Sequence, residues 1–260
     1  MCPLSLEERE KIIKDIDSRS FQKRVERLGE LHQIKIERNV GVFGSQRVWE
    51  YGNEATHNYL NGSYRSTIFC CACIVDHIFR YEYLSMPGST LADLRQKNTE
   101  ITFGKVIEKC EIKCIETSSN RLDEYISKAK LLNKIRKKVA VHPLFIDIPE
   151  ELPNSRLKDE ILIEGMNSIL NLVKEISPSE YARLDTGITS TDVEGKNTRY
   201  ELKDILSKPA SFAPRHILFF FIGFIEWNAL QFLAYESLKI VRDIDLGLYG
   251  KKYLDSISSS

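Results

Sequence analysis

Residues 63–84, SYRSTIFCCACIVDHIFRYEYL, decide the fold class. Ile68, Cys71, Val75 and Ile78 recur three and four positions apart, which lines them along one face of an α-helix. Ser63 stands in the N-cap position after the breaker Asn61-Gly62, and Met86-Pro87-Gly88 ends the run. The same period governs the flanking sequence. Trp49 to Leu60 reads as a short helix before it, and Phe103, Val106, Ile107 and Cys110 mark a helix after it. From about Asn120 to Val141, Leu122, Tyr125, Leu132, Ile135 and Val139 face a core. From about Leu157 to Ile176, Ile161, Ile169 and Val173 do the same. The expected fold is all-α, with a helical bundle over residues 47–176.

Two extensions flank that bundle. Residues 1–46 hold one or two amphipathic helices, since Ile12, Ile16, Phe21, Val25, Leu28 and Leu31 recur at helical spacing among charges. Ser5 is placed to cap the first. Asn39 to Gly44 reads as a connection, and its glycines are not followed by the Gly-Lys-Ser/Thr of a phosphate loop. Residues 177–260 open on a polar stretch, Leu184 to Tyr200, expected as a loop or small hairpin. Ile217 to Ile225 is the most apolar run of the chain. Glu226, Asn228 and Gln231 interrupt it well short of the roughly 20 apolar residues a membrane span needs, so a buried core or dimer helix is expected and no membrane partner.

Composition narrows the class further. With 42% hydrophobic and 28% charged residues, the 260-residue chain can build a core and is not disordered by composition. The 37 basic residues balance the 37 acidic ones, so any case for a nucleic-acid partner must come from local clustering. Of the six cysteines, three crowd into Cys70, Cys71 and Cys73 on one helix, where neighbouring side chains diverge, a poor disulfide framework. His77 follows Cys73 by four residues, but no second ligand pair completes a tetrahedral metal site. Buried, reduced thiols are expected. The N-terminus turns charged at once and carries no signal-peptide hydrophobic region, which points to a reducing cytoplasm.

Chemistry concentrates in Asn133 to Pro143. Ala129, Asn133, Arg136 and Ala140 form a stripe beside the Leu132/Ile135/Val139 core stripe, so Arg136 borders the core with small residues around it. Asn133, one turn earlier, is placed to bond the guanidinium or a ligand. His142 precedes Pro143, which disfavours helical geometry at the histidine and ends the helix near Val141. On an ideal helix the two side chains would stand about 120° and ~9 Å apart, so leaving the helix at His142, or pairing across a two-fold axis, would bring them together. A helix C-terminus also favours a protonated imidazole. Lys130, Lys134, Lys137 and Lys138 lie in a segment without acidic residues between Glu124 and Asp147, a patch suited to a phosphodiester backbone or simply to a solvated helix end.

Upstream, Glu54 to Thr67 (EATHNYLNGSYRST), Ile74 to Arg80 (IVDHIFR) and Thr102 to Glu108 (TFGKVIE) precede this Arg-(five residues)-His segment. Together, from about Arg47 to Ile176, they resemble the HEPN superfamily. The resemblance implies an α-helical bundle that commonly dimerises and brings two Arg/His pairs into one cleft. It also implies a metal-independent, cofactor-free ribonuclease, often a toxin or antiviral defence effector, with RNA as substrate and an antitoxin or defence-complex protein as partner. Arg136 and His142 match its catalytic pair, Lys137 takes the polar position after the arginine where Asn, Asp or His is commoner, and Asp76 matches the acidic position loosely. Asn133 would support the site, and Lys130, Lys134 and Lys138 would hold the RNA backbone.

A second reading of the same residues is a non-catalytic module that binds a nucleotide or a protein partner, with Arg136 and His142 as a structural pair. A metal-dependent DNA nuclease fits less well, because Asp147, Glu150, Glu151, Asp159, Glu160 and Glu164 show no specific spacing. His32, His57 and His77 are expected as packing or surface residues.

Overall fold

A computed structural model describes residues 6–36, 45–97, 99–117, 121–141, 155–184, 188–191, 197–201 and 215–258. The fold is all-α, as the periodicity predicts. The helices are α1 (Leu6–Gln33), α2 (Gln46–Leu60), α3 (Tyr64–Ser85), α4 (Phe103–Thr117), α5 (Asp123–Arg136), α6 (Ser155–Ile176), α7 (Pro178–Leu184) and α8 (Arg215–Ser258). A 3-10 turn at Leu91–Leu94 leads into a minimal hairpin of β1 (Arg95–Gln96) and β2 (Thr99–Glu100). The polar stretch after α7 forms a second antiparallel hairpin, β3 (Ile188–Thr191) with β4 (Asn197–Tyr200).

The centre is α3. Ile68, Cys71, Ile74, Val75, Ile78 and Phe79 are each wholly buried, because neighbours cover the helix on several sides. Those neighbours are α2, α4, α5 and α8. The turn between α2 and α3 runs through Gly62 at φ +77°, a left-handed conformation that costs a residue with a Cβ about 1 kcal/mol or more. Helix α8 joins the same core. Ala229, Leu233, Ala234, Leu238, Val241 and Ile244 recur at helical spacing and are all fully buried. Polar groups that the core takes in find partners: the Tyr59 hydroxyl donates to Glu30 at 2.5 Å, and Tyr249 donates to Glu82 at 2.5 Å.

Several local expectations need correction. The segment before Ile36 forms one helix, within the expected one or two, and of its apolar stripe Leu31 is buried while Phe21, Val25 and Leu28 are exposed. Periodicity groups these residues, but α1 meets the bundle along the edge of that stripe marked by the buried Arg27 and Leu31. Ser63 holds the N-cap position of α3 without a side-chain cap bond, its carbonyl instead accepting from the Thr67 hydroxyl at 3.2 Å. Ser5, the connection Asn39 to Gly44, His142 and Pro143 lie outside the described residues, as do the side chains of Ile12, Ile16, Ile161 and Ile217 to Ile222. Among the described residues, no helix is long and apolar enough to cross a membrane.

Candidate active site at the α3–α5 contact

Helix α5 turns Tyr125, Ile126, Ala129, Leu132 and Ile135 into the core. Asn133 goes with them and is 92% buried, an unusual place for an amide unless it has work to do. Its Oδ1 accepts from Arg136 Nη2 at 3.0 Å. The guanidinium carbon stands 5.8 Å from the centroid of the Phe103 ring on α4, within cation–π range. The arginine is therefore held from two sides at the edge of the core. A Cβ at Gly104 would lie 3.1 Å from Asn133 Nδ2, so the missing side chain lets α4 close onto the asparagine.

On helix α3, Cys73 and Asp76 lie within electrostatic reach of Arg136, and Arg80 pairs with Asp76. Burial pushes the Asp76 carboxyl up from the ordinary range, and Arg80, His77 and Arg136 oppose that rise. Its direct partner is Arg80, whose Nε donates to Oδ1 at 3.0 Å while Nη2 holds the Ile101 carbonyl at 2.5 Å. Asp76 thus sits close enough to feel the charge of Arg136 but is engaged by another arginine. Burial pushes the Cys73 thiol to about 11, with Asp76 adding to the rise and Arg136 reducing it. Cys70, Cys71, Cys110 and Cys114 are buried and their thiols are raised in the same way.

Arg136 enters no ion pair with a carboxylate among the described residues, and its buried Nε has no hydrogen-bond partner. Three of the nearby lysines differ. Lys128 pairs with Asp243 at 2.8 Å, Lys130 with Glu111 at 2.6 Å and Lys134 with Glu175 at 2.5 Å. Lys137 and Lys138 are exposed and enter no ion pair among the described residues. Among the described residues, the cations of this segment without an acidic partner are thus Arg136, Lys137 and Lys138.

Beyond Arg136 the backbone changes to a π turn over Lys137–Val141. Widening to the i→i+5 pattern reduces the rotation per residue around the axis from Lys137 to Val141. Arg65, in the first turn of α3, reaches this turn: its Nη1 donates to the Val139 carbonyl at 2.5 Å. Its Nη2 forms an ion pair with Glu226 of α8. Burial pushes the Glu226 carboxyl up, and Arg65 counters it. Sequence reasoning missed this bridge; its one trace was a glutamate directly after the most apolar run of the chain.

The structure joins Asn133 to Arg136, places Lys137 and Asn133 both beside Gly104 and Asp76 within electrostatic reach of Arg136, and leaves Lys130 and Lys134 in separate surface pairs. Among the described residues, no three His, Cys, Asp or Glu side chains are grouped to hold a metal ion. No family model, curated protein or solved structure matches the chain.

Proposed function

We propose that this chain is a metal-independent endoribonuclease whose phosphate-binding group is Arg136. One observation carries the reading: a half-buried guanidinium, braced by Asn133 and Phe103, has no carboxylate paired with it among the described residues and keeps an N–H without a partner among them. Such a group stabilises an anion more than a solvated arginine does, because water screens it less. A phosphodiester offers the oxygen pair that matches its fork.

The remaining chemistry rests on the resemblance to HEPN proteins. RNA carries its own nucleophile. The 2′-oxygen attacks phosphorus as its proton passes to a general base, the P–O5′ bond breaks, and the departing oxygen takes a proton from a general acid. His142 would serve as one of these groups, and a second copy across a two-fold axis would supply the other. Lys137 and Lys138 would hold the flanking backbone, with Lys130 and Lys134 recruited from surface pairs worth at most about 1 kcal/mol each. As a cytoplasmic toxin or defence effector, the protein would be restrained by an antitoxin or a partner in its complex.

A non-catalytic module is the competing reading, and the engagement of Asp76 by Arg80 favours it, since the loosely matched acidic position is already satisfied. Product analysis separates the two. The ribonuclease reading expects 2′,3′-cyclic phosphate and 5′-hydroxyl ends in the presence of EDTA, and no cleavage of an oligonucleotide lacking 2′-hydroxyls. Ends of the opposite polarity, or cleavage of DNA, would refute it.

A further inference from the structure

Two clefts meet at Trp227 on α8, away from the α3–α5 contact. The larger, about 610 Å³, opens between α1 and α8 and is lined by Lys23, Glu26 and Glu30 on one side and Phe224, Trp227 and Gln231 on the other. The smaller, about 330 Å³, lies beside the start of α3, with Tyr64, Arg65 and Glu226 in its wall. Both volumes are in the range of small-ligand sites. Trp227 is 45% exposed and Phe224 is 55% exposed, and their spacing of three places them on one face of the helix.

The indole is held rather than loose. Its ring meets Tyr64 edge-on, with centroids 5.0 Å apart, and it leans so closely on Gly62 that a Cβ there would stand 2.9 Å from it. One side of the ring is thereby fixed by packing while the residue stays half open. Nearby polar groups are mostly spent. Arg27 Nη1 donates to the Leu60 carbonyl at 2.7 Å, and the Glu30 carboxylate accepts from Tyr59 and Gln231. Lys23 and Arg27 balance Glu26 and Glu30, so the larger cleft has no net charge with which to select an anion. What it offers is aromatic surface. The buried Tyr64 ring forms part of the wall of the smaller cleft, with the Arg27 guanidinium carbon 5.5 Å from its centroid.

We infer that the Trp227–Phe224 cleft is a nucleobase subsite, in which an unpaired base of the RNA strand whose phosphate is held at Arg136 stacks on the indole and packs against Phe224. This rests on the ribonuclease reading for its ligand. Continuity supports it: the smaller cleft shares Gly223 and Trp227 with the larger, and Arg65 in its wall also donates to the Val139 carbonyl of the turn that follows Arg136. Stacking on a rigid aromatic is how proteins hold single strands without reading sequence. A second copy of the chain is a poorer occupant, because a stable interface covers about 800 Å² per partner and these rings sit in a concavity.

Trp49 and Trp227 are the only tryptophans, so a Trp49→Phe background reports Trp227 alone. That protein is titrated with a short single-stranded oligoadenylate, 2′-O-methylated to block cleavage, following tryptophan emission and the polarisation of a label on the RNA. The expected result is saturable quenching that tracks polarisation, and affinity about tenfold weaker in Phe224→Ala, the loss of one stacked contact. Phe224 is exposed, so that variant should fold even if Trp227→Ala does not. RNA binding without quenching would overturn the subsite while leaving the ribonuclease reading intact. Quenching without cleavage of unmodified RNA would uphold the subsite and defeat catalysis. Absence of RNA binding, or quenching that follows self-association by sedimentation, would overturn it.

Discussion

Arg65 and Val139, 74 residues apart in the chain, are joined by a 2.5 Å hydrogen bond from the guanidinium to the backbone carbonyl. The bond fixes the π turn that follows Arg136 against the first turn of α3, and the ion pair with Glu226 ties the same arginine to α8. Replacing Arg65 with Ala leaves a mostly buried carboxylate without its partner and a carbonyl without its donor. The expected loss is about 2–4 kcal/mol by urea denaturation. Arg65→Lys should recover part of the stability through the ion pair but not the two-point grip, and RNA cleavage should fall with kcat more than with KM. An unchanged kcat in a folded Arg65→Ala protein would separate the bridge from the site.

Glu226 makes that bridge pH-dependent. Its folded carboxyl titrates above the ordinary carboxylate range because of burial, although Arg65 limits the rise. A raised acid binds its proton more tightly folded than unfolded, so its contribution to stability falls as pH rises through the window between the two values. Glu226→Gln does not titrate. Its Tm relative to wild type should therefore improve as pH rises through that window and level off above it. A Tm difference that does not vary between mildly acidic and neutral pH would contradict the raised carboxyl.

Gly247 on α8 has no room for a side chain, since a Cβ there would stand 1.9 Å from the Tyr125 hydroxyl oxygen and 2.5 Å from Cζ. Tyr125 is buried on α5, so its ring has little freedom to move aside. Gly247→Ala should destabilise by about 1–3 kcal/mol, the usual cost of overpacking, despite the higher helix propensity of alanine. Gly223→Ala, in open space on the same helix, is the control and should be neutral or stabilising. Equal denaturation midpoints for the two variants would show that α8 does not press on α5.

Much of the bundle is legible because helical period marks which residues share a face. Val106, Ile107 and Cys110 on α4, Leu132 and Ile135 on α5, and Val139 in the turn after it are buried as their spacing predicts. The same rule cannot say whether a neighbour covers the face, and so Phe21, Val25 and Leu28 on α1 are left exposed. The Asn133–Arg136 contact is local, one turn along a helix, and could be read directly. Phe103 under the guanidinium, Arg80 on Asp76 and Glu226 on Arg65 depend on how helices pack, and in the last case on partners 161 residues apart. The π turn is not a matter of propensity either; Val139 has a ligand for its carbonyl from outside the helix, and only the tertiary structure shows it.

Cleavage of single-stranded RNA in EDTA by wild type, Arg136→Ala and His142→Ala, each purified identically and checked for folding by circular dichroism, tests the central claim most directly. The account predicts metal-independent cleavage by wild type and a loss of at least about a hundredfold in each variant, the scale of removing a charge stabiliser or an acid–base group. Equal residual cleavage by all three folded proteins would contradict it.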